Sequence, residues 1–538
     1  MPDHETRISS SDAKTREGFG RRAMLVLISN IIGGTLGYIS LFYMYRFIGD
    51  IAPGVLAFAL SYVGLVSIIA DLGYGTAHTK RISEGKNQGE CIGVFLVIRV
   101  VLTISFLVAG IVGYIMLKST SAEQTLTPYH EKLVHILLCY QAIILISDVL
   151  RLSYMAKLQV AKAYIAPNVE NVVRPCLIVS IAVMHSIHPL GTEYEVAIYL
   201  GYVYLAGGFA YLISSLVFIS GLEFSRPTWG MFKSYTRFAL PVMIGMAGGT
   251  ILTNTDKFFL QIFWGTEEVS HYFGTQRLAL IITYVGSAIG VTLFPLMSEL
   301  VSSGDRERVK SILSLGERYL SLAGMPLLIL IVAIPSQIIH ITLSDELLPA
   351  TLAMITITIY SYLSLLNIPY NNIFGASDKP QIGTNITILT AILNVILVIF
   401  FVPKSFLGLP GLGLKAYGAA LTTLIAGCIG TILIRYYANK LGGVWFNRRV
   451  LLHIAGAILT ILVISIIANG FPPYLDPIHP VTRFYDLILI GILSLAIFYG
   501  FLFISGELTR KDLILIKQAI HPAGMVKYIR DEAFRNHK

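Results

Sequence analysis

Apolar runs of about 20 residues, each long enough to cross a bilayer, recur from one end of the chain to the other. They predict fourteen membrane-spanning helices, at 23–46, 54–72, 92–117, 133–151, 167–187, 197–220, 239–263, 270–298, 313–334, 349–370, 383–402, 416–437, 450–470 and 484–505. The polar stretches between them are short and leave no room for a soluble catalytic domain. The pattern is that of an all-α polytopic membrane protein.

The pattern also repeats. IIGGTLGYISLFYMYRFIGD around the first span is matched by GMAGGTILTNTDKFFLQIFWGT around the seventh. Gly33-Gly34-Thr35 corresponds to Gly248-Gly249-Thr250, and Gly49 to Gly265. Six spans separate the copies, an even number, so both enter the membrane from the same side. Two parallel six-helix bundles follow, with a pseudo-two-fold axis along the membrane normal. Spans thirteen and fourteen are extra C-terminal helices. The organisation expected is a tail (1–22), a first bundle (23–221), a linker (222–238), a second bundle (239–438), the two extra helices (439–506) and a basic tail (507–538). GxxxG spacings at Gly33/Gly37, Gly245/Gly249 and Gly286/Gly290 permit close helix approach.

Composition agrees with this picture. Of the 538 residues 55% are hydrophobic and only 13% charged, against about 25% charged in soluble domains. The mean hydropathy is +0.71. The net charge of +9 does not point to nucleic acid. Most Lys and Arg fall on one side of the membrane if the N-terminal tail, with Arg7, Lys14, Arg16, Arg21 and Arg22, is cytoplasmic. An even span count returns the C-terminal tail to that side, so both termini of a cell-membrane protein are expected in the cytoplasm. In that tail Leu513, Ile516 and Ile520 share a face flanked by Lys511 and Lys517, which suits an interfacial helix or a solvated tail equally. Residues 1–20 lack the apolar stretch of a cleaved signal peptide. The four cysteines are scattered without CxxC spacing and read as small core residues.

Enzyme signatures are sparse. There is no GxxxxGK[ST] loop. His130, Glu131 and His135 resemble HExxH with one residue too many, which turns the two imidazoles about 140° apart on a helix. No metal and no cofactor are expected. Asn385-Ile386-Thr387 fits a glycosylation pattern but opens a span.

Charges inside the spans carry more information, because one at a helix centre costs about 2.5–3.5 kcal/mol on the insertion scale. Arg99 lies in span three, Glu170 and Arg174 one turn apart in span five, Lys257 in span seven and Arg277 in span eight. Asp256 and Lys257 are neighbours, so they point in different directions; Asp256 is expected opposite Arg277. The plainer reading is that these charges are ion pairs holding the bundles together, and it weighs most on Glu170–Arg174. Asp71, Asp148 and Arg151 read as ordinary interface residues. Intramembrane Asn30, Asn254, Asn367, Asn371, Asn372 and Asn394 suit sugar hydroxyls or helix–helix bonds alike. Pro295, Pro326 and Pro369 would bend their helices.

A cavity between two such bundles, with cations Arg99 and Arg174 towards one mouth and Lys257 and Arg277 towards the other, suits an anionic or amphiphilic solute. Arg and Lys can replace the hydration of a phosphate, and Arg does so with a bidentate fork. Glu170 and Asp256 would be the supporting acids.

Several stretches resemble a known family. They are FGRRAMLVLISNIIGGTLGYISLFYMYRFIG, ADLGYGTAHTKRISEGK (Ala70–Lys86), TDKFFLQIFWGTEEVSHYFGTQRLA (Thr255–Ala279) and LFPLMSEL (Leu293–Leu300). Together they look like the polysaccharide-transporter branch of the multidrug/oligosaccharidyl-lipid/polysaccharide exporter superfamily. The resemblance implies a flippase that moves a polyprenyl (pyro)phosphate-linked oligosaccharide across the cell membrane for surface glycan synthesis. Membrane lipids, a coupling ion (Na+ or H+) and glycan-assembly enzymes are the implied partners, with no nucleic acid. Lipid II flippases of the superfamily share the fourteen-span count and use a span-eight arginine, to which Arg277 corresponds. They also use arginines within the first two spans, where this chain has only Arg46 at the end of span one; another lipid-linked glycan is therefore favoured. A same-fold exporter of drugs or small solutes would want an acidic cavity. A membrane-embedded glycosyltransferase or ligase would want a large external loop bearing carboxylates.

Overall fold

The computed structural model describes residues 10–119, 125–217, 219–470 and 480–509. The described chain is helical apart from short turns and a two-residue ladder pairing Ser405–Phe406 with Leu409–Pro410. The first half comprises α1 (Ser10–Phe47), α2 (Ile51–Val66), α3 (Ile68–Asp71), α4 (Tyr74–Ser83), α5 (Gln88–Lys118), α6 (Pro128–Ala156), α7 (Val160–Ile187) and α8 (Glu193–Leu216). The second comprises α9 (Trp229–Trp264), α10 (Thr266–Ala279), α11 (Ile281–Ser302), α12 (Arg306–Ala333), α13 (Pro335–Thr342), α14 (Thr351–Leu366), α15 (Ile368–Ala376), α16 (Pro380–Phe401) and α17 (Lys415–Gly442). Two further helices, α18 (Val450–Gly470) and α19 (Pro480–Ile504), follow.

Local signals start and stop these helices. Asn87 accepts the Glu90 amide at the head of α5. Thr192 and Glu195 cap α8 reciprocally, and Asp305 caps α12; each satisfies amides that a helix start leaves without partners. Leu72 (φ 44°) and Gly73 (φ 77°) take left-handed conformations and turn the chain from α3 into α4.

Among the described residues eleven helices are long and apolar enough to span a membrane, or twelve if the bent α9 counts as one. The stretch expected as a single span at 270–298 is two helices, α10 and α11, meeting at Leu280. The expected linker 222–238 is helical from Trp229, and that first segment is bent by 49° from Val242–Trp264. Most of the basic tail, 510–538, lies outside the described residues.

The same neighbours recur in the two halves. Helix α1 packs on α7 as α9 does on α16; α7 packs on α8 as α16 does on α17; α6 packs on α8 as α14 does on α17; α2 packs on α6 as α10 does on α14. The repeated glycines occupy matching places. A Cβ on Gly33 would come within 3.1 Å of Asn171 on α7, and one on Gly248 within 3.3 Å of Ile388 on α16.

The halves meet along α2, α9 and α10. At the Asp50 end the seam is tight. The Tyr45 hydroxyl donates to the Ser270 carbonyl at 2.9 Å, and the Ser270 hydroxyl donates to the Asp50 carbonyl at 2.5 Å. His130 Nε2 pairs with the Thr266 hydroxyl at 3.1 Å, and Gln261 donates to the Thr125 carbonyl at 2.7 Å. Phe58 stacks on Phe258. At the Lys80 end, α4 docks on the first turns of α9 through Tyr74–Thr236, His78–Tyr235 and Arg81–Ser234.

Candidate functional site

Between these two seams lies a cavity of about 210 Å³. Ser67, Asp71 and Leu72 line it from the α2–α3 break, Arg99 from α5, and Gln141 and Asp148 from α6. Met243, Met246, Ala247 and Thr250 of α9 close the other side. The cavity is therefore shared between the halves.

Arg99 is buried on its wall. Nη1 donates to the Ala70 carbonyl at 2.9 Å and lies 3.3 Å from Asp71 Oδ1. The left-handed Leu72 ends α3 and leaves terminal carbonyls needing donors; the guanidinium supplies one. It also lies 5.1 Å from the Phe95 ring centroid, and its Nε has no partner among the described residues. Asp71 and Asp148, read from sequence as ordinary interface residues, both face this cavity. Asp148 accepts Arg151 Nε and the Tyr211 hydroxyl, each at 2.6 Å.

Arg174 and Glu170 are not among the lining residues. They form a node inside the first half, with Nη1 2.6 Å from Glu170 Oε1, the Tyr140 hydroxyl donating to the same oxygen at 2.7 Å, and the guanidinium over the Tyr204 ring at 4.8 Å. Pairing one turn apart on α7 is what the spacing predicts.

In the second half, Lys257 is buried. Its Nζ donates to the Thr253 carbonyl at 2.6 Å and to Gln276 at 3.2 Å, and lies 5.8 Å from the Tyr272 ring centroid. Asp256 does not face Arg277 as expected. It accepts the Tyr272 hydroxyl and, at 2.9 Å, that of Thr423 on α17. Among the described residues its Oδ1 and the Asn394 Oδ1 have no hydrogen-bond partner. Arg277 is exposed, lies over the Phe273 ring at 5.1 Å, and has no ion-pair partner among the described residues. Its backbone carbonyl accepts the Tyr38 hydroxyl from α1, which places it on the seam between the halves. Lys257 lies within electrostatic range of both Asp256 and Arg277. The four expected cations thus occupy three environments: a shared cavity (Arg99), a closed node (Arg174), and an unpaired hairpin pair (Lys257, Arg277).

Sequence reading missed two buried ionic nodes. Glu317 of α12 pairs with Arg435 of α17 at 2.7 Å and accepts the Tyr370 hydroxyl at 2.6 Å. Arg318 donates to Glu507 at 2.5 Å, with Arg449 and His453 also close to that carboxylate. The signal was present, since Glu317 and Arg318 fall inside the span expected at 313–334 and Arg435 inside that at 416–437. The near-HExxH residues go separate ways: His130 bonds Thr127 and Thr266, while Glu131 pairs with Lys118.

Residues 19–301 match the polysaccharide biosynthesis protein family, and residues 241–400 match MatE. A probable low-salt glycan biosynthesis flippase, Agl15 of Haloferax volcanii, is 23% identical over 520 residues, covering 95% of this chain and 98% of that protein. An uncharacterized membrane protein of Methanocaldococcus jannaschii, MJ1068, is 29% identical over 216 residues, 39% of this chain and 40% of its own. Among solved structures, the lipid II flippase MurJ in an inward closed conformation superposes with a TM-score of 0.68 at 14% identity, over 89% of this chain and all of MurJ. An inward-facing multidrug resistance MATE transporter superposes with a TM-score of 0.59 at 16% identity, over 76% of this chain and 95% of its own. The fold is shared with both.

Proposed function

The chain belongs to the polysaccharide biosynthesis protein family, in the exporter superfamily named above, and from that premise we propose that it flips a polyprenyl (pyro)phosphate-linked oligosaccharide across the cell membrane. The observation that carries this reading is the α9–α10 hairpin. Lys257 lies in the membrane-spanning part of α9 and Arg277 follows on α10, its backbone carbonyl on the seam between the halves, and neither has a carboxylate in ion-pair contact among the described residues. Cations held there without an ion-pair partner suit an anionic headgroup that must exchange water for protein donors. The relative Agl15, a probable glycan biosynthesis flippase matched over nearly its whole length, supports it.

In this proposal the recurrent helix pairings are two parallel six-helix bundles, α18 and α19 are spans thirteen and fourteen, and both termini are cytoplasmic. The bundles rock about the shared cavity, opening first the Lys80 end and then the Asp50 end. The lipid tails stay in the bilayer and no covalent bond is made or broken. A coupling ion, Na+ or H+, would act at Asp256, whose buried carboxylate lies beside Asn394 and Thr423. Enzymes that assemble the glycan would deliver the substrate.

The test is reconstitution in liposomes with a fluorescent lipid-linked oligosaccharide. A charge-assisted hydrogen bond contributes about 1.5–3 kcal/mol, so Arg277→Ala and Lys257→Ala should each slow transfer at least about tenfold. Asp256→Asn should remove any dependence on a Na+ or proton gradient. Normal transfer by the Arg277→Ala, Lys257→Ala double variant would sink the proposal. The MatE match at 241–400 favours a second reading, export of small organic solutes, which would appear as accumulation of an organic cation in the same liposomes without lipid transfer.

A further inference from the structure

We infer that the cavity walled by Asp71, Arg99, Gln141 and Asp148 seats one sugar of the transported glycan, apart from the cations that hold its phosphate. This rests on the flippase reading. Size is the first argument. At about 210 Å³ the cavity is smaller than the roughly 300–1,000 Å³ of pockets for drug-sized ligands, so it suits a single ring and not a whole headgroup.

Charge is the second. The lining holds two carboxylates, Asp71 and Asp148, and both are paired, with Arg99 and Arg151 respectively. A phosphate would meet no unpaired cation there and two carboxylates close by. The unpaired cations, Lys257 and Arg277, lie elsewhere on the α9–α10 hairpin.

Hydrogen-bonding capacity is the third. The Arg99 side chain is 97% buried, being 3% exposed, yet its Nε donates to nothing among the described residues, and Asp71 Oδ1 accepts no hydrogen bond. The Gln141 amide, with two donors and one acceptor, has no partner among the described residues either. Adjacent sugar hydroxyls, each a donor and an acceptor, match such a mixed set, whereas a fully ionised anion needs donors alone. Met243 and Met246 of α9 offer an apolar surface to the C–H face of the ring. Because α9 belongs to the second half, parting the halves would strip that face away and release the sugar.

The experiment compares two probes on the full-length protein in liposomes: a fluorescent polyprenyl pyrophosphate carrying one glucose, and the same lipid without sugar. The readout is the ratio of their transfer rates. Gln141→Ala should lower that ratio about three- to tenfold, the loss of one neutral hydrogen bond. Asp71→Asn should lower it as well. A glucuronate-bearing lipid should move more slowly than the glucose lipid in the parent. An unchanged ratio in both variants, or glucuronate moving as fast as glucose, overturns this inference and leaves the flippase reading standing. A parent protein that moves neither glucose lipid nor bare lipid overturns both.

Discussion

Gly54 lies on α2 where it crosses α10, at the sealed Asp50 end of the seam. A Cβ placed there would stand 2.5 Å from the backbone carbonyl oxygen of Thr266, 2.8 Å from its methyl group and 3.1 Å from Ser270 Cβ. Contacts under 3.0 Å essentially never occur at a real Cβ, and here the nearest atom is backbone. Even alanine must therefore part the two helices by about half an ångström, and leucine by more. Overpacking of this kind costs about 1–3 kcal/mol. If the halves rock apart at this end, the cost falls only on the closed state, so the open state should gain about 5–150-fold in population. Ser270 reports on it directly, since it is fully buried when the seam is closed. In a background with Cys91, Cys139, Cys176 and Cys428 replaced, Ser270→Cys should react with a membrane-impermeant maleimide faster by that factor once Gly54→Leu is added. Gly249→Ala is the control, because nothing lies within 4 Å of a Cβ at that position. Unchanged labelling in folded Gly54→Leu protein would refute the idea that this seam is a gate.

The Glu507 carboxylate is 2% exposed among Arg318, Arg449 and His453. Glu507→Ala strands a buried guanidinium and should cost about 3–5 kcal/mol, seen as a lower thermal midpoint in detergent, with Arg318→Met/Glu507→Leu recovering most of it. Burial, with Glu346 and Glu193 nearby, raises the Asp50 carboxyl to about 6. Its proton is bound more tightly in the folded seam than in the unfolded chain, so this contribution is strongest at low pH and lost as pH rises through about 6. Ser270→Cys labelling, corrected for thiol ionisation with an exposed cysteine, should therefore rise between about pH 5 and 7, and Asp50→Asn should flatten the profile. Glu170→Ala should reduce membrane levels of the protein more than Arg174→Ala reduces transport, because Glu170 holds both Arg174 and Tyr140; equal levels of parent and variant would count against it.

What could be read from the sequence and what could not divide along one physical line. The all-helical, many-span character was legible because it is written in local periodicity, and Gly33 and Gly248, paired by the GGT match, sit against α7 and α16. Charges inside spans were legible too, since composition alone marks them. Their partners were not. The Asp256–Lys257 step shows only that the two side chains diverge; that Asp256 turns to Thr423, 167 residues away, depends on where α17 packs. Glu317–Arg318 is the same kind of step, resolved by Arg435 and Glu507, the second 189 residues on. Asp71 reaches the cavity because Leu72 and Gly73 turn the chain there, and a left-handed leucine has no sequence signature; Asp148 reaches it from α6, which depends on where that helix packs. Sorted by partner instead of by depth, the intramembrane cations separate cleanly. Arg174 and Arg435 have a carboxylate within 2.7 Å, and Arg318 within 2.5 Å. Arg99 holds Asp71 more loosely, at 3.3 Å, on a cavity wall. Lys257 is bound by a carbonyl and an amide and lies near the Tyr272 ring, and Arg277 lies over an aromatic face. A closed ion pair gains nothing from a substrate anion unless its own acid first withdraws, whereas Lys257 and Arg277 lose no carboxylate contact by turning to one. The lack of an ion-pair contact among the described residues, more than the presence of a charge in the membrane, is the reason to assign the phosphate to them.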